Sequence, residues 1–219
     1  MPIFQHRYLT PEGELGLWKI EEEEDYFLYG MDLHEEEIAE LSKIKGKKRT
    51  EYLAVRQLLH KMSGRKTRAA CLKDEFGKPH LDSSLFNISI SHSHGIVAAI
   101  AAPRFVGIDI QKMVQKIERI AHKYMRDEEK ESLNRDTRLE HLHVYWGAKE
   151  CLYKAYGRKE LEFKEHILID PFNFDLNMGF FFGSVIKGDY NKKFVIHYEK
   201  IEDYILVYAL EDVPDQRMV

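Results

Sequence analysis

The sequence predicts an α+β fold made of two halves of similar size. β-rich runs and helical stretches follow one another in mixed order, and after Pro103 the pattern of strand and helix starts again. The chain of 219 residues, with 44% hydrophobic and 32% charged residues, is long enough to bury a core and has the composition of a folded globular protein. We therefore expect an N-terminal α+β half over residues 1–103 and a C-terminal α+β half over residues 104–219.

The N-terminal half begins with strands and turns over residues 3–30, in which the acidic run EEEED is expected to be a solvated loop. A helix is expected from Asp32, as N-cap, to about Ile44, and a second helix over RTEYLAVRQLLHKM that ends at Gly64. The runs FNISISHS and IVAAIAA predict an antiparallel pair of strands joined by a turn at residues 94–95.

The C-terminal half begins with a strand over FVGIDIQ and continues with helices over KIERIAHKYM and DEEKESL. A long helix is expected from about Thr137 to Tyr156, with Gly157 as its left-handed cap. The runs HILID, FFFGSVI, KFVIHYEK and YILVYAL then predict four strands. This half therefore repeats the mixture of helix and strand seen in the first.

Composition and charge exclude several classes of protein. The formal net charge of -4 gives no global reason to expect a nucleic-acid partner. The start of the chain lacks the basic and apolar segments of a signal peptide, and no run approaches the roughly 18 apolar residues of a membrane helix. Cys71 and Cys151 lie in apolar surroundings without the spacing of a disulfide framework. We expect a cytoplasmic protein that binds neither nucleic acid nor membrane.

The stretch WGAKECLYKAYG of the long helix places Glu150 four residues before Lys154. Such a pair is ordinarily a surface ion pair worth roughly a few tenths of a kcal/mol. On a helical wheel, Glu150, Lys154 and Trp146 point largely away from an apolar stripe. The stripe consists of Tyr145, Ala148, Leu152, Ala155 and Tyr156, with Lys149 at its edge. A Trp beside a carboxylate is not what a plain surface helix needs, so this face is a candidate site.

The run VGIDIQ carries polar side chains on an apolar strand. Strand alternation sends Ile108 and Ile110 to one face, and Asp109 and Gln111 to the other. A carboxylate and an amide oxygen two residues apart suit Mg²⁺, which prefers oxygen ligands, and Gly107 leaves room where a ligand can approach. Taken alone, the pattern is weak, and an edge strand with a polar outer face explains it better.

The run SISHSHG ends an apolar strand with groups that bind anions. Ser91, His92 and Ser93 offer hydroxyl groups, an imidazole and backbone N–H groups to an anion. His92 and His94 share a strand face, and His141 and His143 form a second His-x-His pair, so a zinc site is an alternative. On a helix, however, the second pair diverges by about 200°, so the two imidazoles cannot bind one ion.

Two basic segments complete the candidates. The run KIKGKKR, over residues 43–49, lies ahead of Arg56 and fits either an anion-binding site or a solvated helix start. The turn GKP, over residues 77–79, carries one more lysine and means nothing by itself. Neither segment identifies a ligand alone.

Four motifs occur in the order of a known family. Read along the chain as FGKP, FNISISHS, GIDI and WGAKECLYKA, they resemble the longer, monomeric class of 4'-phosphopantetheinyl transferases, which includes the surfactin-synthetase activator. The resemblance covers residues 76–155 closely. It implies two similar α+β halves about a pseudo-twofold axis, with coenzyme A in the cleft between them, and a protein that acts as a monomer.

The resemblance also implies a reaction. The protein is expected to be a holo-[acyl-carrier-protein] synthase, which transfers 4'-phosphopantetheine from coenzyme A to a serine of an apo acyl or peptidyl carrier protein, with Mg²⁺ as cofactor. Adenosine 3',5'-bisphosphate is the other product, and residues 111–135 are the expected surface for the carrier. Two rival functions are a non-catalytic homologue that binds coenzyme A or a carrier protein, and a zinc hydrolase that uses His92 and His94.

The family's site residues map onto this sequence position by position. Asp109 and Glu150 would bind Mg²⁺ on the pyrophosphate and Lys154 would contact that group, with Glu150 or a metal-bound water as the base. The residues expected to bind coenzyme A are Lys47, Arg56, Lys78, Pro79, Ser91, His92 and Lys154. Lys48 or Arg49 can replace Lys47 as the phosphate contact, and Glu129 lies where the family places a further acidic residue.

One position departs from the class pattern. The longer members usually read GIDIE, with a second carboxylate on the strand, whereas this chain has Gln111 as the candidate third metal ligand. An amide oxygen is a neutral and weaker ligand for Mg²⁺, and a water molecule can take its place.

Overall fold

The computed structural model describes residues 5–9 and 12–213. The chain divides into two compact units, residues 1–103 and residues 104–219. Each unit contains an antiparallel sheet and helices, which confirms the α+β class predicted from the sequence. The expected start of the first strand, at residues 3 and 4, lies outside the described residues.

The sheet of the N-terminal unit has the strand order β1-β2-β6-β5-β4-β3. Its strands are β1 (Gln5–Tyr8), β2 (Glu14–Lys19), β3 (Cys71–Lys73), β4 (Pro79–Leu81), β5 (Asn87–Ser93) and β6 (Ile96–Ala102). The predicted pair, β5 and β6, is antiparallel as expected. His94 and Gly95 both have positive φ angles, 46° and 85°, which is the conformation that a two-residue hairpin turn requires.

In the described part of this unit, the helices beside the sheet are α1 (Glu24–Leu28), α2 (Glu35–Leu41) and α3 (Lys47–Ser63). The expected end of α3 is confirmed, because Gly64 follows it in the left-handed conformation. α3 packs closely on β2, since a Cβ atom at Gly16 would lie 2.7 Å from the sulfur of Met62 and 2.8 Å from Leu58. This contact builds the core of the N-terminal unit.

Two expectations for the N-terminal unit are wrong. The run EEEED is not a solvated loop, because its last two residues begin α1 and Glu24 forms an ion pair with Arg49 at 2.7 Å. α2 does not start at Asp32 or reach Ile44. Its N-cap is His34, whose backbone N–H donates to a Glu37 carboxylate oxygen at 3.1 Å, a capping box that fixes the first turn.

The C-terminal unit has the strand order β7-β11-β10-β9-β8. The strands are β7 (Val106–Lys112), β8 (Ile167–Ile169), β9 (Met178–Lys187), β10 (Tyr190–Ile201) and β11 (Tyr204–Glu211). The helices are α4 (Lys116–Tyr124), α5 (Asp127–Glu131), α6 (Arg138–Tyr156) and α7 (Phe163–His166). Gly157 caps α6 in the left-handed conformation, as expected.

α6 packs its apolar stripe into the core of this unit. Tyr145, Ala148, Leu152 and Ala155 are buried and Tyr156 is half-buried, as the helical wheel predicts. Aromatic rings, including Phe172 and Phe181 stacked 4.0 Å apart, fill the same core. The stripe therefore fixes which face α6 turns away from the core, and that face carries Glu150 and Lys154.

Candidate active site

The candidate site of the C-terminal unit lies where α6 passes over β7. Close packing of the two elements depends on position 107, because a Cβ atom at Gly107 would lie 1.9 Å from the carbonyl oxygen of Cys151. Gly147 plays the same part against β11, where an added Cβ would lie 2.5 Å from Val207. The interpretation that Gly107 leaves room for a ligand is thus wrong, because the backbone of α6 fills that space.

Lys154 and Asp109 form the closest ion pair of this site. The Lys154 ammonium donates to Asp109 Oδ1 at 2.8 Å and to the carbonyl oxygen of Ile108 at 2.9 Å. Burial alone would lower the pKa of Lys154, but the Asp109 carboxylate raises it above the ordinary value. The lysine therefore stays cationic, with its charge directed at β7.

Glu150 differs from its neighbours in this cluster. Within the described residues, its carboxylate forms no hydrogen bond or ion pair, and the expected pair with Lys154 one turn later is absent. Burial raises the pKa of Glu150; Lys154 opposes this rise and the nearby Asp109 charge adds to it. The carboxylates of Asp109 and Glu150 thus interact across the gap between α6 and β7, and that of Glu150 has no hydrogen-bond donor among the described residues.

Gln111 occupies a third position beside these carboxylates. Its amide nitrogen Nε2 lies 3.2 Å from Asp109 Oδ2 and 3.2 Å from the carbonyl oxygen of His143. Its oxygen Oε1 lies 2.8 Å from His143 Nδ1. His143 is 1% exposed, and burial lowers its pKa. The structure therefore brings Asp109, Gln111, Glu150 and Lys154 together, as the sequence predicts.

Sequence reasoning missed the role of Lys149, which was placed only at the edge of the apolar stripe. Lys149 is fully buried and donates to Glu129 Oε1 at 2.7 Å and to the carbonyl oxygens of Ile167, at 2.7 Å, and Phe163, at 3.1 Å. Burial lowers the pKa of Lys149, and the Glu129 charge opposes that shift. Neighbouring residues of α6 thus point in different directions, Lys149 inward and Glu150 toward β7.

The donor set of this cluster fits a hard divalent cation. Carboxylate oxygens are the ligands that Mg²⁺ prefers. The half-buried carboxylate of Glu150, which has no hydrogen-bond partner among the described residues, leaves the cluster of two acids and Lys154 with an excess negative charge. Asp109 and Glu150 are therefore the residues that would hold such an ion.

The histidines do not assemble into a zinc site. Among the described residues, no group of three or more His, Cys, Asp and Glu side chains is arranged to bind a metal. His92 contacts Glu51 instead, at 3.1 Å, and His141 stacks on Phe174 with ring centroids 4.3 Å apart. The zinc alternative therefore has no support in the described part of the chain.

The N-terminal unit contains a pocket of about 220 Å³. Its polar lining combines cations with a carboxylate–imidazole pair, and its remaining walls are apolar. The charged, imidazole and proline residues of the lining are Lys48, Glu51, Arg56, Lys73, Pro79 and His92. Three residues expected at the coenzyme A site, Arg56, Pro79 and His92, thus meet here. Lys47, Lys78 and Ser91 are not among the lining residues, and Ser91 is on the opposite face of β5 from His92.

The basic residues expected at this pocket differ in whether their charges are already paired with other residues. Arg49 pairs with Glu24 and donates to the carbonyl oxygen of Leu41, whereas Lys48 lines the pocket. Arg56 is buried, with Nε 2.9 Å from Glu37 Oε1 and its guanidinium 3.2 Å above the ring of Tyr52. Much of the charge of Arg56 is therefore already balanced inside the unit, while Lys48 remains exposed.

Glu51 is a lining residue that sequence reasoning missed. Its carboxylate lies 3.1 Å from Nδ1 of His92, so that Nε2 is the ring nitrogen left for a ligand. The side chains are brought together by one helix and one strand, α3 and β5, which are separated widely in sequence. A single sequence offers no signal for such a pair.

Comparison with known families gives a match within the C-terminal unit. Residues 105–209, nearly all of the C-terminal unit, match the sequence profile of the 4'-phosphopantetheinyl transferase superfamily. The C-terminal unit is thus similar to this superfamily of phosphopantetheinyl-type transferases, over slightly less than half of the chain. A search of curated proteins gives no significant match. In the described chain, no helix has both the length and the apolar character needed to cross a membrane.

Proposed function

We propose that the protein transfers 4'-phosphopantetheine from coenzyme A to a serine hydroxyl of an apo acyl or peptidyl carrier protein, in a Mg²⁺-dependent reaction. The observation that carries this proposal is the grouping of Asp109, Glu150 and Lys154 inside the region that matches the superfamily. In the reaction, the serine oxygen bonds to the phosphorus nearer the pantetheine. The phosphorus–oxygen bond to the nucleotide breaks, and adenosine 3',5'-bisphosphate leaves.

Asp109 and Glu150 are proposed to hold the cation that this chemistry needs. A bound Mg²⁺ would offset negative charge on the pyrophosphate and on the departing phosphate. Lys154 is positioned to add a second positive charge, because its ammonium already lies at the Asp109 carboxylate and stays protonated. Movement of that ammonium from Asp109 to a phosphate oxygen would exchange one anionic partner for another.

Glu150 is also proposed to accept the serine proton. A general base works best when its pKa lies closer to the working pH than that of an ordinary carboxyl. Burial moves the pKa of Glu150 in this direction, and no described residue donates a hydrogen bond to its oxygens. Its carboxylate oxygen would take the proton as the serine oxygen attacks.

The pocket of the N-terminal unit is proposed to bind the nucleotide part of coenzyme A. Lys48 offers a cation and His92 offers Nε2 to a phosphate group, and Lys73, which pairs with Glu40, adds a second ammonium to the lining. Apolar side chains and Pro79 supply a surface on which an adenine ring can pack. We keep Lys47, Lys78 and Ser91 as proposed contacts on the strength of the family resemblance alone.

The test is mass spectrometry of an apo acyl carrier protein incubated with the protein, coenzyme A and Mg²⁺. We expect the carrier to gain the mass of one phosphopantetheine, and Asp109→Ala to abolish the gain. Asp189→Ala, which removes an exposed carboxylate from the turn between β9 and β10, is the matched control and should retain full activity. No mass gain with several carrier proteins would reject the proposal.

A non-catalytic homologue is the second candidate, and Gln111 is the observation that favours it, because the class usually has a carboxylate at this position. This candidate predicts coenzyme A binding by calorimetry without any mass gain on the carrier.

We further propose a monomer that acts in the cytoplasm. The two free, buried thiols of Cys71 and Cys151 support a reducing compartment. Light scattering after gel filtration tests the monomer: an observed mass near 25.9 kDa is expected, and twice that value would contradict it.

A further inference from the structure

A chain of hydrogen bonds runs from the backbone after β7 to the carboxylate of Asp109. The backbone N–H of Val114 lies 3.0 Å from Nε2 of His143, and Nδ1 of His143 lies 2.8 Å from Oε1 of Gln111. The amide nitrogen of Gln111 then lies 3.2 Å from Oδ2 of Asp109. Since His143 is 1% exposed, water does not compete for its ring nitrogens.

Its neighbours fix the orientation of the Gln111 amide. Nε2 faces two acceptors, the Asp109 carboxylate and the carbonyl oxygen of His143, each at 3.2 Å. A rotated amide would place Oε1 against both acceptors with no hydrogen atom between them. Oxygen and nitrogen of an amide are assigned from such partners. The NH₂ group therefore points to Asp109, and Oε1 points to His143.

This orientation determines the tautomer of His143. Oε1 of Gln111 is an acceptor, so Nδ1 must carry the hydrogen atom across the 2.8 Å contact. Nε2 is then an acceptor and receives the N–H of Val114 at 3.0 Å. The other tautomer would use the more distant carbonyl oxygen of Val114, at 3.3 Å, and would set two lone pairs against each other at Gln111.

We propose that His143 is a positioning residue, which fixes the Gln111 amide so that its NH₂ group holds Asp109 and its oxygen is not a metal ligand. Only Asp109 and Glu150 are then protein ligands of the ion. The metal part of this inference rests on the proposed function, whereas the hydrogen-bond chain does not.

The chain has a clear effect on Asp109. Lys154 donates to Oδ1 and Gln111 donates to Oδ2, so both carboxylate oxygens are fixed in the absence of a ligand. A Glu at position 111, as in the class pattern, would place an oxygen beside Asp109 and the carbonyl oxygen of His143. Such a carboxylate needs a cation to offset repulsion, whereas Gln111 needs none.

The first experiment requires neither metal nor activity. Long-range ¹⁵N–¹H NMR on the EDTA-treated protein at neutral pH reports the His143 tautomer, with the signals assigned by their loss in His143→Gln. We expect the hydrogen atom on Nδ1, where Gln111 Oε1 accepts it, with Nε2 left to accept the N–H of Val114. A hydrogen atom on Nε2 in the wild-type protein would overturn the hydrogen-bond chain.

The second experiment uses Mn²⁺ as the probe. Electron paramagnetic resonance in ¹⁷O-labelled water counts the waters on bound Mn²⁺. We expect equal numbers in the wild-type protein and in Gln111→Ala; one extra water in the variant would show that Gln111 is a ligand and overturn the inference. Failure of the wild-type protein to bind Mn²⁺ would overturn the metal part alone and would count against the proposed function, leaving the NMR result to decide the chain.

Metal affinity separates positioning from a general structural role. His143→Phe should weaken Mn²⁺ binding about 10-fold, as loss of an outer hydrogen bond typically does, and His143→Gln should restore most of it. His122→Phe, on the exposed face of α4, is the control. Unchanged Mn²⁺ affinity in folded His143→Phe would contradict the inference.

Discussion

Nζ of Lys154 lies 2.8 Å from Oδ1 of Asp109, which is 45 residues earlier in the chain. Lys154 forms this ion pair instead of one with Glu150, which is one helical turn before it. An i,i+4 spacing therefore does not produce a surface salt bridge here. Lys154 on α6 pairs with Asp109 on β7, and the carboxylate of Glu150 therefore forms no ion pair of its own. This difference between two acids of the same site leads to the first prediction.

Glu150→Gln should reduce turnover without reducing stability. Loss of a general base lowers the rate by about 100-fold or more, whereas removal of a half-buried charge without a hydrogen-bond partner relieves a desolvation cost. We expect a Tm equal to or above that of the wild-type protein in EDTA, measured by circular dichroism, together with a strongly reduced rate of carrier modification. A variant with near-wild-type turnover at saturating Mg²⁺ would contradict the role of Glu150.

Gly107→Ala should destabilise the C-terminal unit severely. The added methyl group would lie 1.9 Å from the carbonyl oxygen of Cys151, so α6 must move away from β7. We expect a loss of about 4 kcal/mol or more in the free energy of unfolding, measured by urea denaturation. Ser184→Ala, on the half-buried strand β9, should cost less than about 1 kcal/mol. Equal midpoints for the two variants would show that the contact is easily relaxed.

Glu37→Gln should destabilise the N-terminal unit. Arg56 and Arg68 both contact this buried carboxylate, which also accepts the backbone N–H groups of Cys71 and His34. Removing the charge leaves the guanidinium groups of Arg56 and Arg68 without this counter-charge, which lowers the free energy of unfolding by about 3–5 kcal/mol. Glu36→Gln, an exposed neighbour on α2, is the control.

The same carboxylate adds a pH dependence. Burial alone would raise the pKa of Glu37, but hydrogen bonds from Arg68, Cys71 and His34 lower it below 4.5. Its contribution is therefore complete above pH 4.5 and is lost as the pH falls further. In Glu37→Gln this part of the acid dependence should disappear from denaturation curves recorded at several pH values.

His141 should make the C-terminal unit sensitive to moderate acid. His141 is only 1% exposed and packs among aromatic side chains, and burial lowers its pKa from 6.5 to about 4. The unfolded chain takes up a proton below pH 6.5 and the folded chain does not do so until about pH 4, so stability falls as the pH decreases through this window. The total loss is roughly 3 kcal/mol.

A pair of histidine variants tests this window. His141→Phe should remove most of the pH dependence between pH 6.5 and 4, whereas His122→Phe, at an exposed position, should leave it unchanged. The measurement is the urea midpoint across this range. A wild-type protein whose midpoint does not change there would show that the imidazole can take up a proton inside the core.

Glu51→Gln should weaken coenzyme A binding more than it slows the reaction. Glu51 orients His92 through Nδ1, so that Nε2 is left to face the proposed phosphate. We expect KM for coenzyme A to rise about 10-fold, equivalent to about 1.4 kcal/mol, with kcat nearly unchanged. Glu75→Gln, in an exposed turn, is the control. A fall in kcat at constant KM would place Glu51 in a different role.

The sequence predicts the helices and strands of the C-terminal unit well because its signals are local. The apolar stripe of α6 and the glycine that ends the helix are visible in the residues themselves, and the structure confirms both. The start of α2 was misjudged because two residues, Asp32 and His34, can both precede a helix, and the contact between His34 and Glu37 decides between them.

The site could be predicted only where motifs carry it. Asp109, Glu150 and Lys154 were found from their patterns and from the family resemblance, and they lie together. The pairs Glu51–His92 and Lys149–Glu129 join segments that are distant in sequence, and no local pattern marks them. Gly107 indicates a close approach by another group, but the sequence does not distinguish a ligand from the backbone of α6, which is what the structure places there.

The buried pair of Lys149 and Glu129 has a consequence for protein engineering. α5 and the loops beside it form a short segment that could be exchanged between relatives as one piece. Glu129 belongs to that segment, but its partner lies on α6, next to Glu150. A graft that imports a neutral residue at position 129 would leave an ammonium group stranded in the core, so positions 129 and 149 have to be exchanged as one unit.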